Sequence, residues 1–306
     1  MNDQRAAQRG AGRPQPGPEN SGDDPILLVF AHPDDETFGC AGTIHEATSQ
    51  GLSVTLLTAT RGEAGKTGDP RIDTPEILGA VREQELRAAM AAVGLTDVRF
   101  LDYRDSGMEG TAENDDPRAL IRAREEDVVT RIVVQLRAIR PAIVITFGPD
   151  GIYGHPDHLF IHRAATAAVH AAADPEVLPA VAAPWQTPVL YYSTAPRERM
   201  VEMAARPDGP MRDVAPERLA MLGTPRAEIT TVIDVSLHAD VKLQAIAAHR
   251  TQTGDGGPMS DMPAERTEAL LSREHFVRAP LPRRRANDDP HDWLARLAAA
   301  HPISPA

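Results

Sequence analysis

The sequence predicts an α/β fold, a Rossmann-like, mostly parallel sheet flanked by helices, with a smaller C-terminal α/β extension. Three observations carry that expectation. Apolar runs of strand length alternate with stretches of helical spacing from about residue 25 to residue 175, the order that gives parallel strands joined by right-handed crossovers. The run Ile26–Ala31 is apolar throughout and bounded by turn residues, as a buried strand is. The equally apolar Ala142–Phe147 opens after Pro141 and closes on the turn Gly148-Pro149-Asp150-Gly151.

Residues 1–24 are rich in Gly, Pro, Gln, Asn and Arg and hold almost no large apolar side chains. Such a segment buries too little surface to offset its ordering entropy, and a disordered tail is expected. The strand at 26–31 leads into a small-residue turn around Gly39 and Gly42, then a helix to Ser49 capped by Gly51. Leu52–Thr60 alternates and is rich in β-formers, a second strand. Arg61–Thr74 has Gly, Asp and Pro at short intervals and reads as a loop. Ile77, Leu78, Val81, Leu86, Met90 and Val93 give Pro75–Val93 the spacing of a helix, which Gly94 ends. Val98–Tyr103 is a third strand, 105–117 a polar loop, 119–139 a helix charged along one face, and His158–Ala173 an Ala-rich helix. Beyond a Pro-rich link at 174–188, Val189–Ser193 and Thr230–Val235 read as strands and His238–Arg250 as a helix. The stretch 196–228 and the residues beyond 252 show no clear period. One domain is expected over 25–306, with a core at 25–175 and a pocket-shaping C-terminal part at 176–306.

A chain of 306 residues can bury a sizeable core. Its net charge of −12 argues against a nucleic-acid partner, which needs clustered Lys and Arg. The single cysteine, Cys40, excludes an intrachain disulfide framework and a Cys-rich structural zinc site, and it fits a reducing cytoplasm. No apolar run reaches the roughly 18 residues of a membrane span, and the N-terminus lacks the basic-then-apolar order of a secretory signal. A soluble cytoplasmic protein is expected, without membrane or nucleic-acid partners, acting on a small molecule alone or as a homo-oligomer.

The chemistry-bearing residues cluster at strand ends, where open α/β sheets form their sites. The first strand runs into His32-Pro33-Asp34-Asp35-Glu36. If the turn begins a helix, His32 and Asp35, three apart, face one point. After the strand at 142–147 comes Gly154-His155-Pro156-Asp157-His158, again with two imidazoles three apart. In a parallel sheet both loops open onto one edge. Two His and a carboxylate with an open position is the pattern of catalytic zinc in hydrolases, where the metal acidifies bound water and a neighbouring carboxylate completes its deprotonation. Asp34, beside Asp35 on another azimuth, is the natural candidate base, and a remaining His can act as general acid or oxyanion stabiliser. Either tripeptide alone could be a turn in which Asp caps a helix; two copies after two strands argue for a site. Glu36 reads as a supporting charge, Cys40 as packing, and Arg122–Asp127 as a solvated helix face.

These two motifs resemble the LmbE/PIG-L family of zinc-dependent N-acetylglucosamine deacetylases over roughly residues 25–170. Arg104-Asp105-Ser106-Gly107-Met108, the Arg82-x-x-Glu85-Leu86 helix and Lys242-x-x-Ala245-x-x-x-His249-x-x-Gln252 are similar to features of its mycothiol-pathway members. Thr37-Phe38-Gly39-Cys40-Ala41-Gly42-Thr43 is closer to the broad family. The resemblance implies zinc, with Fe(II) as the other metal the ligands accept, bound by His32, Asp35 and His158. It implies Asp34 as general base, His155 stabilising the oxyanion or protonating the amine, Asp157 orienting His155, and Tyr153 near the acyl oxygen. Arg82, Asp105 and His249 match substrate-binding positions. The implied activity is removal of an acetyl group from an amino-sugar nitrogen. The rivals are a mycothiol S-conjugate amidase, a non-haem Fe(II) oxygenase, whose usual all-β fold disagrees with the α/β pattern, and a non-catalytic carbohydrate-binding protein.

Overall fold

The computed structural model describes residues 24–205, 214–254, 271–281 and 291–300. The expected tail at 1–24 falls almost wholly outside the described residues. Seven strands form one sheet: β1 (Ile26–Phe30), β2 (Val54–Thr58), β3 (Asp97–Phe100), β4 (Ile143–Phe147), β5 (Val189–Thr194), β6 (Thr231–Asp234) and β7 (Arg273–Arg278). Their order is β3-β2-β1-β4-β5-β7-β6. The first five strands run parallel, and β7 is antiparallel to both β5 and β6. β1, β2 and β4 are buried at every position, which explains their mostly aliphatic composition, broken only by Thr55, Thr58 and Thr146.

The crossover helices are α1 (Asp35–Ser49), α2 (Pro75–Ala92), α3 (Glu125–Ile139), α4 (Gly151–Gly154, one distorted turn) and α5 (Pro156–Ala172). Right-handed crossovers set α1 and α2 on one face and α3 and α5 on the other. α3 packs on α5, while α1 and α2 pack on α8 (Ala239–Ala248). Further helices among the described residues are α6 (Arg197–Ala204), α7 (Pro216–Leu219), α9 (Arg250–Thr253) and α10 (Trp293–Ala300). Among the described residues, no helix is long and apolar enough to cross a membrane.

Several boundaries differ from the sequence expectation. No small-residue turn precedes α1: the helix begins at Asp35, and Gly39 and Gly42 lie inside it. They are small because α1 sits tight on the sheet, where a Cβ on Gly39 would come 2.7 Å from Ser193 Oγ and one on Gly42 2.5 Å from Val235 Cβ. α3 begins at Glu125 rather than 119. Leu120–Arg122 forms only a 3₁₀ turn, cut off from α3 by the extended backbone of Ala123 (ψ 150°) and Arg124 (ψ 125°). The helix expected at 238–250 breaks at His249 (φ −81°, ψ 58°) into α8 and α9.

β7 carries no apolar alternation in sequence because one of its inward positions is Glu274, buried beside Phe276. The Glu274 carboxylate accepts from Gly42 N (2.9 Å) and Thr43 N (2.8 Å) of α1 and from Lys242 Nζ (2.6 Å) of α8. Both side chains are withdrawn from water, so removing one partner strands a charge. Lys242→Met is expected to lower unfolding stability by about 3 kcal/mol in denaturant titration. A change below 1 kcal/mol would contradict this assignment.

Candidate metal centre and active site

β1 and β4 are neighbours, yet the chain leaves β1 toward β2 and leaves β4 toward β5. Loops after these two strands therefore diverge and open the crevice in which doubly wound sheets hold ligands. The first motif fills one lip and the second fills the other.

Phe30 is the last residue of β1, and the chain turns at His32-Pro33-Asp34 before entering α1. Asp34 holds a left-handed backbone (φ 113°, ψ −27°) and its side chain makes no capping bond, so the bland reading of the motif as a helix cap does not apply. Instead Asp35 Oδ2 accepts from His32 N at 2.8 Å, and Glu36 Oε2 accepts from Asp34 N at 3.2 Å. On the other lip, His155 caps α5, its Nδ1 accepting from Asp157 N at 3.2 Å. His158, one turn later, stacks flat on Phe147, with ring centroids 4.0 Å apart and planes at 11°.

The hydrogen-bond partners assign the ring nitrogens. His158 Nδ1 donates to Gly151 O at 3.1 Å, leaving the Nε2 lone pair facing Asp35 Oδ1 (3.2 Å) and His32 Nδ1 (3.2 Å). His32 Nε2 donates toward Asp157 Oδ2 (3.1 Å) and Asp105 Oδ1 (3.4 Å), leaving Nδ1 facing Asp35 Oδ2 at 3.5 Å. Two imidazole lone pairs and a carboxylate thus converge, separated by 3.2–3.5 Å. A tetrahedral ion bound at 2.0–2.1 Å places its donors about 3.3 Å apart. Acceptors this close repel unless a cation lies between them, so the donor set fits a divalent metal. His32, His155 and His158 also lie close enough to share an ion. His155 spends its Nδ1 lone pair on a backbone N–H, which makes Nε2 a donor and sets it apart from the other two.

The electrostatics mark the same spot as one that calls for positive charge. Burial opposes charge on His32, but the surrounding carboxylates of Asp105, Asp157 and Asp35 prevail and raise its pKa well above the usual range. Burial also opposes charge on Asp35, yet His158 and His32 hold it well below the usual carboxylate range. Burial, with His32 and His158 close by, lowers His155 to about 2. Asp34 is pushed up to about 6 by burial, against the Arg82 guanidinium.

Of the ten residues singled out from sequence, His32, Asp34, Asp35, Asp105, Tyr153, His155, Asp157 and His158 gather at this crevice, with some departures in detail. Asp157 does not reach His155 through its side chain: the carboxylate takes His32 Nε2 and Ser106 N (2.9 Å), and only the backbone N–H meets His155. Asp105 likewise serves His32, held by Gly107 N at 2.8 Å. Arg82 is buried beneath the site, donating to Gly62 O (2.9 Å), Pro33 O and Asp34 Oδ2 (3.1 Å), while its Nε has no partner among the described residues. His249 is fully buried behind Glu36 and Thr37, its Nε2 3.1 Å from Thr37 Oγ1. It supports the Glu36 carboxylate that holds Asp34 N–H. The Gly151 carbonyl that orients His158 has no side-chain signature, and Arg82's true partner is a residue 48 positions away.

Tyr153 stands at the mouth, 39 % exposed, with its ring 4.9 Å from His158 and 6.1 Å from His155. It rides on α4, where Gly151 (φ 58°), Ile152 (φ 66°, ψ −60°) and Gly154 (φ 79°) are left-handed. That backbone costs a β-branched residue roughly 1–3 kcal/mol.

Fold and site together define a doubly wound α/β protein with a buried metal-donor cluster at its switch point. Residues 27–169 match PIG-L, described as GlcNAc-PI de-N-acetylase. A 1D-myo-inositol 2-acetamido-2-deoxy-alpha-D-glucopyranoside deacetylase of Rhodococcus erythropolis is 40% identical over 266 residues, covering 83% of this chain and 90% of the relative. The Rhodococcus jostii protein of the same name is 38% identical over 267 residues, covering 82% and 90%. The chain belongs to the PIG-L family of de-N-acetylases. These alignments run well past the 25–170 stretch of the sequence resemblance. The N,N'-diacetylchitobiose deacetylase of Pyrococcus horikoshii superposes with a TM-score of 0.59 at 20% identity, covering 85% of each chain, which extends the likeness in fold.

Proposed function

We propose that this protein is a zinc-dependent deacetylase that hydrolyses the N-acetyl amide of an N-acetylglucosaminyl-inositol. The convergence of His32 Nδ1, His158 Nε2 and the Asp35 carboxylate within 3.5 Å of one another carries the reading, and the named relatives, matched over most of both chains, support the substrate. Imidazole and carboxylate donors suit zinc, with Fe(II) as an alternative occupant.

When bound, the metal supplies Lewis acidity to the amide carbonyl and acidifies water at its open position. The protein's own groups do the rest. Asp34, poised near neutrality by burial and steadied by Arg82, takes the proton from the attacking water. His155 Nε2–H, fixed as a donor because Nδ1 is occupied, and the Tyr153 hydroxyl stabilise the negative oxygen of the tetrahedral intermediate. The proton held on Asp34 passes to the departing nitrogen, and the C–N bond breaks to give acetate and a free amino sugar. Asp157 and Asp105 hold the His32 ring in its tautomer. The substrate is an amino-sugar conjugate and the setting the cytoplasm, where buried Cys40 stays a thiol.

Turnover by the zinc-loaded protein of N-acetylglucosaminyl-inositol, of simple N-acetylglucosaminides and of a bulky mycothiol S-conjugate, scored as free amine, tests this. The inositol glycoside is expected to have the highest kcat/KM. Preference for the S-conjugate would make the protein a conjugate amidase instead.

A further inference from the structure

The strained turn at 151–154 is held from beyond residues 27–169, the stretch that matches PIG-L. Ile152 O accepts from Gly223 N at 3.3 Å, and Gly154 O accepts from Arg218 Nη2 at 3.4 Å. Arg218 Nη1 in turn pairs with Glu109 Oε2 at 2.6 Å, so one guanidinium ties α7, the loop at 105–111 and the site turn together. A Cβ on Gly154 would meet Arg218 Nη2 at 3.3 Å and Leu222 Cδ2 at 3.4 Å, which shows how closely α7 is laid on the turn. The segment 218–223 has its own footing. Arg197 donates to Leu222 O (3.4 Å) and Gly223 O (3.3 Å), Thr224 N donates to Ala195 O (2.9 Å), and Met200 and Leu222 form a small separate apolar cluster.

We propose that the 218–223 segment, through Arg218 and Gly223 N–H, positions Tyr153 by holding Ile152 in its left-handed conformation. Two of the three left-handed residues in the turn are glycines that adopt it freely; Ile152 is not, and without an outside tether it relaxes to negative φ. Because Tyr153 lies between Ile152 and Gly154, both tethered carbonyls flank it, and relaxation moves its hydroxyl relative to His155 and His158. Arg218 is a positioning residue here, since its guanidinium is committed to Gly154 O and Glu109. The proposal rests on the deacetylase reading only for its catalytic consequence.

Two measurements on the full-length, metal-loaded chain test it. In native-state hydrogen exchange, Arg218→Ala is expected to speed exchange of amides within 148–158 while leaving the β1 and β4 amides unchanged. In steady-state kinetics, it is expected to lower kcat roughly 10-fold, with KM within about 2-fold. Tyr153→Phe should abolish that effect: the double variant turns over no more slowly than Tyr153→Phe alone. Arg218→Lys, which keeps a donor for Gly154 O, should restore most of the loss. If Arg218→Ala does not fold, Glu109→Gln, which frees the guanidinium at an exposed position, should accelerate the same amides. Unchanged exchange, additive kcat losses, or a rise in KM alone would overturn the proposal. Absence of turnover in the wild type would defeat the deacetylase reading, and exchange would still decide the tether.

Discussion

Asp34→Ala is expected to lower kcat by roughly 10²- to 10⁴-fold, the usual contribution of a positioned proton acceptor, while zinc affinity changes only a few-fold. Asp34 lies next to a metal donor, yet its own carboxylate points elsewhere. Oδ2 rests 3.1 Å from Arg82 Nη2, and its backbone is held left-handed by Glu36. That geometry turns the carboxylate away from helix capping and toward the cleft, and burial raises its pKa to about 6. A base with that affinity is free to accept a proton at neutral pH and basic enough to use it. Single-turnover rates and metal content of the variant decide the matter together. A variant that keeps its metal and its rate would remove Asp34 from the mechanism and leave a sugar-binding role as the better account of the cleft.

His158→Ala is expected to weaken zinc binding by more than 100-fold, beyond the roughly 10- to 100-fold cost of losing an orienting partner. The first lip supplies only His32 and Asp35, and the third donor, His158 Nε2, crosses from the other lip to within 3.2 Å of both. Its ring is fixed twice, by the Gly151 carbonyl and by the Phe147 face, which aims Nε2 at the other two donors. His155 is the nearest candidate to replace it, but its Nδ1 is engaged with Asp157 N–H. His155→Ala should therefore retain zinc while losing turnover. Competition against a chromophoric chelator gives both affinities, and equal losses in the two variants would mean that His155 is a ligand.

The fold was readable where burial on both faces leaves no choice of residue. β1 is apolar at every position and β4 at all but Thr146, and the motifs at their ends are short-range patterns three residues long. What stayed hidden depends on distant neighbours. β7 is disguised by Glu274, whose inward charge makes sense only beside Lys242 and two α1 amides. The helix expected from 119 starts only at Glu125, because Ala123 and Arg124 are extended and leave 120–122 as a separate 3₁₀ turn. Arg82 and His249 look like free polar side chains in sequence, and each is buried among partners supplied by another element. Asp157 follows His155 by two residues, yet its carboxylate serves His32, 125 residues earlier. Residue type announced the donors; tertiary contact decided which donor each carboxylate served.

In the proposed deacetylase, activity depends on a metal held by the His32–Asp35–His158 cluster. That dependence is tested most directly by removing the metal with a chelator, dialysing, and titrating zinc back while following acetate release from N-acetylglucosaminyl-inositol. The stripped protein is expected to show no turnover, and recovery to saturate at one zinc per chain. Turnover that persists in the stripped protein, or no turnover at one bound zinc, would contradict this dependence.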